Sequence, residues 1–236
     1  MISALDATMA TDALGEDRAR VAQRLRQAAA VVVDFDGTLV DSNGIKRRAF
    51  AECFAQAGPA REQVLAYCWG HHDIPRDDKF RHVYEAILGH PYTPDIAACL
   101  HAQFEGLTTQ AVIDAPEIAG ALAFVRKARR GRLIGLLSST PEAILRRIIT
   151  ARGWIGEFDL IQGSPVDKAA WLRALGERLG VTTQAIIALG DSAQDGEAAA
   201  AARTPFIQIG DEPIQTPALY AAADFRPLIA LLEDHA

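Results

Sequence analysis

Apolar residues in this chain gather into short runs, and the stretches between them carry apolar positions at helical spacing. The first run is Ala30-Val31-Val32-Val33-Asp34-Phe35. Four more follow: Leu133-Ile134-Gly135-Leu136-Leu137, Phe158-Asp159-Leu160-Ile161, Ile186-Ile187-Ala188-Leu189 and Phe206-Ile207-Gln208-Ile209. Aliphatic and β-branched runs without polar alternation predict strands buried on both faces, as in a parallel sheet. Helical spacing predicts helices over 141–152, 168–179, 195–203 and 227–233. Strands that alternate with helices imply βαβ units, hence an α/β fold built on a doubly wound, Rossmann-like parallel sheet.

The stretch between the first two runs breaks this rhythm. It holds no strand-like run, and segments 44–57, 61–69, 78–88 and 93–104 all have helical character. A crossover between parallel strands needs only about a dozen residues including its helix, so this stretch is far too long for one. The expectation is an inserted helical domain over 43–113, a core over 30–42 and 114–236, and an N-terminal extension over 1–29. The extension is expected to be helical from about residue 15 and loosely attached. A helix over 116–130, with Pro116 in its first turn, is expected to return the chain to the sheet. Phe50, Phe54, Trp69, Phe80 and Tyr84 are expected to form the apolar core of the insert.

Composition narrows the function. The 236 residues are 50% hydrophobic and 23% charged, enough for one good core or for a core with a smaller insert. The formal charge of −6 offers no attractive field to a polyanion, which argues against nucleic acid as a partner. The basic run from Arg126 to Arg132 surrounds an expected helix end at Gly131, where cations complement the helix dipole. Three cysteines, Cys53, Cys68 and Cys99, are widely spaced with no CxxC pair. This argues against a disulfide framework or a structural zinc site and fits a reducing cytoplasm. The N-terminal residues lack the basic segment of a secretory signal. No apolar stretch approaches the ~20 residues that span a bilayer, so no membrane partner is expected.

In an open parallel sheet, ligands bind beyond the carboxyl ends of the strands. Here those ends are rich in polar groups. The first run continues into Asp34-Phe35-Asp36-Gly37-Thr38-Leu39-Val40-Asp41-Ser42, and the second into Ser138-Ser139-Thr140-Pro141. The fourth continues into Gly190-Asp191-Ser192-Ala193-Gln194-Asp195, and Lys168 opens the helix after the third. Carboxylates that converge repel one another and are costly without a cation. Oxygen-only donors, with no His or Cys among them, select a hard ion such as Mg²⁺. A carboxylate oxygen can attack phosphorus to give an acyl phosphate, with the metal and a lysine neutralising the transferring group. Hydroxyls and backbone N–H groups after the second strand can hold its equatorial oxygens. Phe35 separates Asp34 from Asp36 and faces the other way in an extended segment. As the chain turns at Gly37, Asp36 can reach the leaving-group oxygen and serve first as acid, then as base. A side chain at Gly37 would obstruct the turn or the close approach of backbone to phosphate.

These residues carry a resemblance. The segment from Asp34 to Ser42 resembles the DxDGT-L-x-D-S motif that opens the haloacid dehalogenase-like hydrolases. Ser138 resembles their second motif, Lys168 the third, and Gly190-Asp191-Ser192 with Asp195 the fourth. The four occur in order and span Asp34 to Asp195. The resemblance is to the phosphatase branch with a helical C1 cap, phosphoglycolate phosphatase-like. It implies that Asp34 is the nucleophile and a metal ligand, and that Asp36 is the acid/base and lends its backbone carbonyl to the metal. It implies that Lys168, Ser138 and Ser139, with Gly37 and Thr38, hold the phosphoryl group. Asp191 would be a direct ligand, and Asp195 either a ligand or a support that orients Lys168. The implied cofactor is Mg²⁺, and the implied partner is a small phosphorylated metabolite, such as a sugar phosphate. The carboxylate at Asp36 favours phosphoesters, because a halide leaves without protonation. A phosphomutase and a catalytically silent binding protein on the same fold are the alternatives. One departure is local: related chains often end the helix after the fourth motif in Ala-Gly, whereas here it ends Ala202-Arg203-Thr204-Pro205.

Each motif also has a plainer reading. An Asp-x-Asp can cap a turn, and Asp41 can cap the turn into the insert. Ser138 to Thr140 before Pro141 suits a helix N-cap, which is compatible with phosphate binding because one helix N-terminus serves both. Adjacent rings at His71 and His72 point apart in any regular element, which disfavours a metal site there. Within the charged segment 71–81, Arg76 and Lys79 are the candidates for reading the leaving group; a solvated, salt-bridged loop is the plain alternative.

Overall fold

The computed structural model describes residues 18–71 and 74–233. His72 and Asp73 lie outside the described residues, and so does the reading of the His71–His72 pair that rests on them; residues 1–17 of the expected extension lie outside as well. Six parallel strands form one sheet in the order β3-β2-β1-β4-β5-β6. They are β1 (Ala30–Val33), β2 (Leu133–Pro141), β3 (Leu160–Ser164), β4 (Ile186–Gly190), β5 (Phe206–Ile209) and β6 (Tyr220–Ala222). The fold is the expected α/β, Rossmann-like one.

Side-chain alternation explains why β1 is apolar throughout. Val31 and Val33 face one layer with Ile134, Leu136, Ile187 and Leu189 of neighbouring strands. Ala30 and Val32 face the other layer with Ile186, Ala188 and Phe206. The first layer is covered by α1 (18–27), α6 (Ala121–Ala128), α7 (Glu142–Ala151) and α10 (Arg226–Glu233), through Leu25, Phe124, Ile149 and Leu228. The second is covered by α8 (Lys168–Leu179) and α9 (Ala193–Ala201), through Leu172, Leu175 and Ala199. Full burial of each large aliphatic chain contributes roughly 1.5–3 kcal/mol.

The insert has its own core. Its helices are α2 (Asn43–Cys53), α3 (Arg61–Gly70), α4 (Arg76–His82, running into a π turn at Val83–Ile87) and α5 (Pro94–Asp114). Phe50, Phe54, Phe80 and Phe104 cluster with Val64, Val83 and Leu100. The rings of Phe50 and Phe104 lie 4.8 Å apart, within the range of favourable aromatic pairs. The chain leaves the sheet and returns beside itself. Val40 bridges Glu117 in antiparallel sense, and Asp41 N–H donates to the Pro116 carbonyl at 3.0 Å. Arg152 at the end of α7 closes this junction: its Nη1 donates to the carbonyls of Val112, Ile113 and Ala115 at the end of α5.

Several expectations are corrected here. The helix expected from residue 116 begins at Ala121, because residues 116–118 pair with Leu39 to Asp41 and Gly120 turns at φ +80°. The helix expected to stop at 104 continues to Asp114, where its far half packs on α7. Trp69 is 41% exposed rather than in the insert's core, because α3 turns Val64, Leu65 and Cys68 inward and the next position points out. The first helix is not loosely attached: Val21 and Leu25 are buried in the main core. The strand β6 was not expected. Among the described residues no helix is long and apolar enough to cross a membrane.

Candidate active site

Strand order reverses at β1, with β2 and β3 on one side and β4 to β6 on the other. That switch point opens a crevice beyond the carboxyl ends of the strands, and the polar residues of the motifs lie there. Phe35 continues the alternation of β1 into the first apolar layer. Asp34 therefore projects toward the layer of α8 and α9, where Lys168 is the first residue of α8 and Asp195 lies in the first turn of α9.

The three side chains meet. Lys168 Nζ lies 2.7 Å from Asp34 Oδ1 and 2.6 Å from Asp195 Oδ1. All three residues are buried. Asp195 is held from behind by a capping box, in which its Oδ2 accepts from the Ser192 hydroxyl at 2.6 Å and the Ser192 N–H at 3.2 Å. Burial disfavours the Lys168 ammonium, but Asp195 and Asp34 outweigh it and lift its pKa above the usual lysine range. Burial pushes Asp34 well up against the opposing pull of Lys168, with Asp195, Asp191 and Asp36 adding to the rise.

Asp191 completes the cluster. Carboxylate oxygens of Asp34, Asp191 and Asp195 lie within 4.8 Å of one another, a spacing that one cation can bridge. Thr38 Oγ1 donates to Asp191 Oδ1 at 2.9 Å and Asn43 Nδ2 to Oδ2 at 2.8 Å, which fixes its plane. Burial, then the charge of Asp195, raises Asp191 to about 6. Gly37 makes room for this carboxylate. A Cβ at Gly37 would stand 2.1 Å from Asp191 Oδ2, and its φ of +80° is one that other residues rarely adopt.

Asp36 points elsewhere. Its Oδ1 accepts from the Ser42 hydroxyl at 2.7 Å; its Oδ2 accepts from the Thr140 hydroxyl at 2.6 Å and pairs with Lys46 Nζ at 2.5 Å. Burial pushes its pKa up, but the charge of Lys46 and the hydrogen bonds from Lys46, Thr140 and Ser42 together bring it below the usual value. Ser138 is buried at the end of β2, with its Oγ accepting from Thr140 N–H at 3.1 Å. Ser139 is exposed, and its hydroxyl donates to Gln194 Oε1 at 3.3 Å. The structure thus brings Asp34, Lys168, Asp191 and Asp195 into one cluster, with Asp36, Thr38 and Ser138 around it.

The two residues expected from the insert have aromatic surroundings. The Arg76 guanidinium lies 4.8 Å from the Phe104 ring centroid, and Lys79 Nζ lies 5.4 Å from that of Phe50. Lys46 and Asn43 have no site role in the sequence reading, and Thr140 enters it only as one of the hydroxyls after the second strand. One sign was available for Lys46: a helix that begins at Asn43 puts Ser42 and Lys46 one turn apart on the same face.

The charge balance describes what the site can hold. Asp34, Asp36, Asp191 and Asp195 face two ammonium groups, Lys46 and Lys168. When all are ionised the excess is two negative charges, in an all-oxygen cluster that suits a hard divalent ion.

Known structures share this fold. A predicted phosphoglycolate phosphatase from Haemophilus somnus 129PT superposes with a TM-score of 0.70 at 18% identity, over 87% of this chain and 98% of that one. The HAD-hydrolase YfnB from Bacillus subtilis, solved bound to magnesium, gives 0.67 at 14% identity, over 88% and 99%. CbbY from Rhodobacter sphaeroides, solved in complex with phosphate, gives 0.65 at 20% identity, over 87% and 99%. These likenesses define the class of fold, a parallel α/β core with a helical cap. The haloacid dehalogenase-like hydrolase profile matches residues 28–203, and the chain belongs to that family of hydrolases. No curated protein gives a match.

Proposed function

We propose that this hydrolase is a Mg²⁺-dependent phosphatase that splits a small phosphoester through an aspartyl phosphate on Asp34. The observation that carries the reading is the buried Lys168 ammonium held between Asp34 and Asp195, with Asp191 close enough to share a cation with them. Asp34 and Asp191 would hold the ion. Both oxygens of Asp195 are already engaged by Lys168 and Ser192, which suits it to orienting Lys168. The ion, when bound, neutralises charge on the phosphoryl oxygens.

An oxygen of Asp34 forms a bond to phosphorus as the bond from phosphorus to the ester oxygen breaks. The negative charge of the bound ester favours protonation of Asp36 against the pull of Lys46, and the departing oxygen takes that proton. Asp36, now a carboxylate, takes a proton from water, whose oxygen attacks phosphorus and breaks the bond to Asp34. Inorganic phosphate leaves and Asp34 is regenerated. Lys168 counters negative charge next to the nucleophile, and Ser138, Ser139 and the N–H groups at the start of α7 hold the equatorial oxygens. The helical insert, taken as residues 43–113, closes over the ester and excludes water. Arg76 and Lys79 are its candidates for contacting the leaving group.

Turnover in ¹⁸O-labelled water tests the route. Inorganic phosphate that carries solvent oxygen is expected. Transfer of the phosphoryl group to a second sugar hydroxyl, with no label in phosphate, would instead make the protein a mutase.

A further inference from the structure

The groups assigned so far to phosphoryl transfer come from the sheet edge and the helices beside it. Among the charged contacts that reach this edge from the insert, such as Arg47 with Glu212, the one at Lys46 meets the proposed acid/base. Lys46 sits one turn into α2, and its Nζ lies 2.5 Å from Asp36 Oδ2 and 3.1 Å from Thr140 Oγ1. Ser42, at the N-cap of the same helix, donates to the other oxygen of Asp36 at 2.7 Å. The bond from Lys46 N–H to the Ser42 carbonyl, 3.1 Å, sets the two on one face of α2. Asp36 is therefore held by two donors from the first turn of α2 and by Thr140 of β2.

The Lys46 ammonium is partly withdrawn from water here. Its side chain is only 30% exposed, and its partner's is 13%. Bringing a charge pair out of water gains stability only where geometry is good and the remaining lone pairs are satisfied, and Ser42 and Thr140 satisfy those of Asp36. The three donors approach both oxygens, so they fix the carboxyl plane as well as its position.

We infer that Lys46 is a positioning residue for Asp36, through which the first helix of the insert sets the acid/base carboxyl against the leaving-group oxygen. The inference rests on the phosphatase reading above. It ties proton delivery to the seating of α2: a shift of α2 carries Lys46 and Ser42 away together and leaves Asp36 with Thr140. The insert then contributes to chemistry as well as to covering the site.

The test compares Lys46→Met and Lys46→Arg with the wild type on p-nitrophenyl phosphate and on a small alkyl phosphate. A p-nitrophenolate leaves without a proton, whereas an alkoxide needs one. The ratio kcat/KM reports steps through phosphoryl transfer to Asp34, so the later attack by water does not enter it. For the alkyl ester, Lys46→Met is expected to lower kcat/KM about tenfold or more, because the lost orientation of Asp36 outweighs its easier protonation without the ammonium; the loss is part of the 10²–10⁴ that acid–base catalysis supplies. The loss on the aryl ester is expected to be several times smaller, and Lys46→Arg is expected to restore most of the alkyl rate. Equal losses on both esters, or none on either, overturn the inference. A crystal structure of Lys46→Met grown with Mg²⁺ and inorganic phosphate decides it without turnover. The Asp36 carboxylate is expected to leave Thr140 Oγ1, and an undisturbed Asp36 overturns the inference. If the wild type hydrolyses neither ester with Mg²⁺, the crystal structure alone judges the Lys46–Asp36 coupling, and the phosphatase reading is judged separately on a wider panel of phosphoesters.

Discussion

The Lys168 ammonium stands 2.7 Å from Asp34 Oδ1, across 134 residues of sequence. Both groups are buried, and the lysine is shared with Asp195. Removing one member of a buried ionic group leaves the others uncompensated, at about 3–5 kcal/mol. Lys168→Met is therefore expected to lower stability by roughly 3 kcal/mol when the metal is chelated. Mg²⁺ is expected to recover part of that loss, because a cation can take over the neutralisation. Urea unfolding with and without Mg²⁺ measures this. Equal stability of variant and wild type in chelator would show that the pair is electrostatically unimportant.

The second prediction concerns pH. Asp191 is raised to about 6, by burial first and by Asp195 next, and burial raises Asp34 in the same direction. Each then binds its proton more tightly folded than unfolded, so the metal-free protein loses stability as pH rises from about 4 through 6. For Asp191 alone the linkage amounts to about 3 kcal/mol at pH 7. Asp36 is lowered and works in a separate window: its contribution is complete above about pH 4 and is lost as pH falls further. In chelator, the urea midpoint is expected to fall between pH 4 and 7, and to fall less in Asp191→Asn. A midpoint that rises across that range contradicts the assignment.

Much of this site was legible because its residues are anomalous where they stand. Carboxylates at the end of an all-apolar run, as at Asp34 and Asp191, have no simple structural excuse, and the hydroxyls of Ser138 to Thr140 end a third run. The start of α8 at Lys168 also fell where expected, because Asp167 is a good N-cap. Other features depend on tertiary contacts that leave no local trace. The residues 116–118 look helical but are used to pair with the outgoing chain. Strand β6 is three residues at a sheet edge, two half-buried and Ala221 exposed, too short for any period to show. Lys46 and Asn43 look like ordinary polar residues of an exposed helix start. Only the seating of α2 against the strand ends brings them to Asp36 and Asp191.

Gly37 offers a steric test of the metal cluster. Gly37→Ala would place a methyl group 2.1 Å from Asp191 Oδ2 and 2.3 Å from Asn43 Nδ2, on a backbone at φ +80°. Asp191 must move, so phosphate release is expected to fall at least a hundredfold, as misplacement near 1 Å costs ~10² in rate. The Mg²⁺ concentration needed for half-maximal activity is expected to rise. Unchanged metal dependence would show that Asp191 is not at the ion.

The departure at the end of α9 makes a stability prediction. Arg203 adopts φ +55°, and the bonds from its N–H to the Ala200 carbonyl and from Thr204 N–H to the Ala199 carbonyl form a Schellman cap. Glycine has no Cβ penalty in that conformation, whereas an ordinary L-residue there is strained by roughly 1–2 kcal/mol. Arg203→Gly is expected to stabilise the protein by about 0.5–1 kcal/mol, since glycine also gains entropy when unfolded. Thermal unfolding reads the change, and a lowered midpoint would contradict it.

The most direct measurement is phosphate release from a panel of small phosphoesters, with Mg²⁺ and with chelator, by the wild type and by Asp34→Asn. At least one ester is expected to be hydrolysed by the wild type with Mg²⁺, and release is expected to vanish with chelator and in the variant. Release that persists in chelator, or an Asp34→Asn protein that still turns over, contradicts a nucleophilic Asp34 beside a divalent ion.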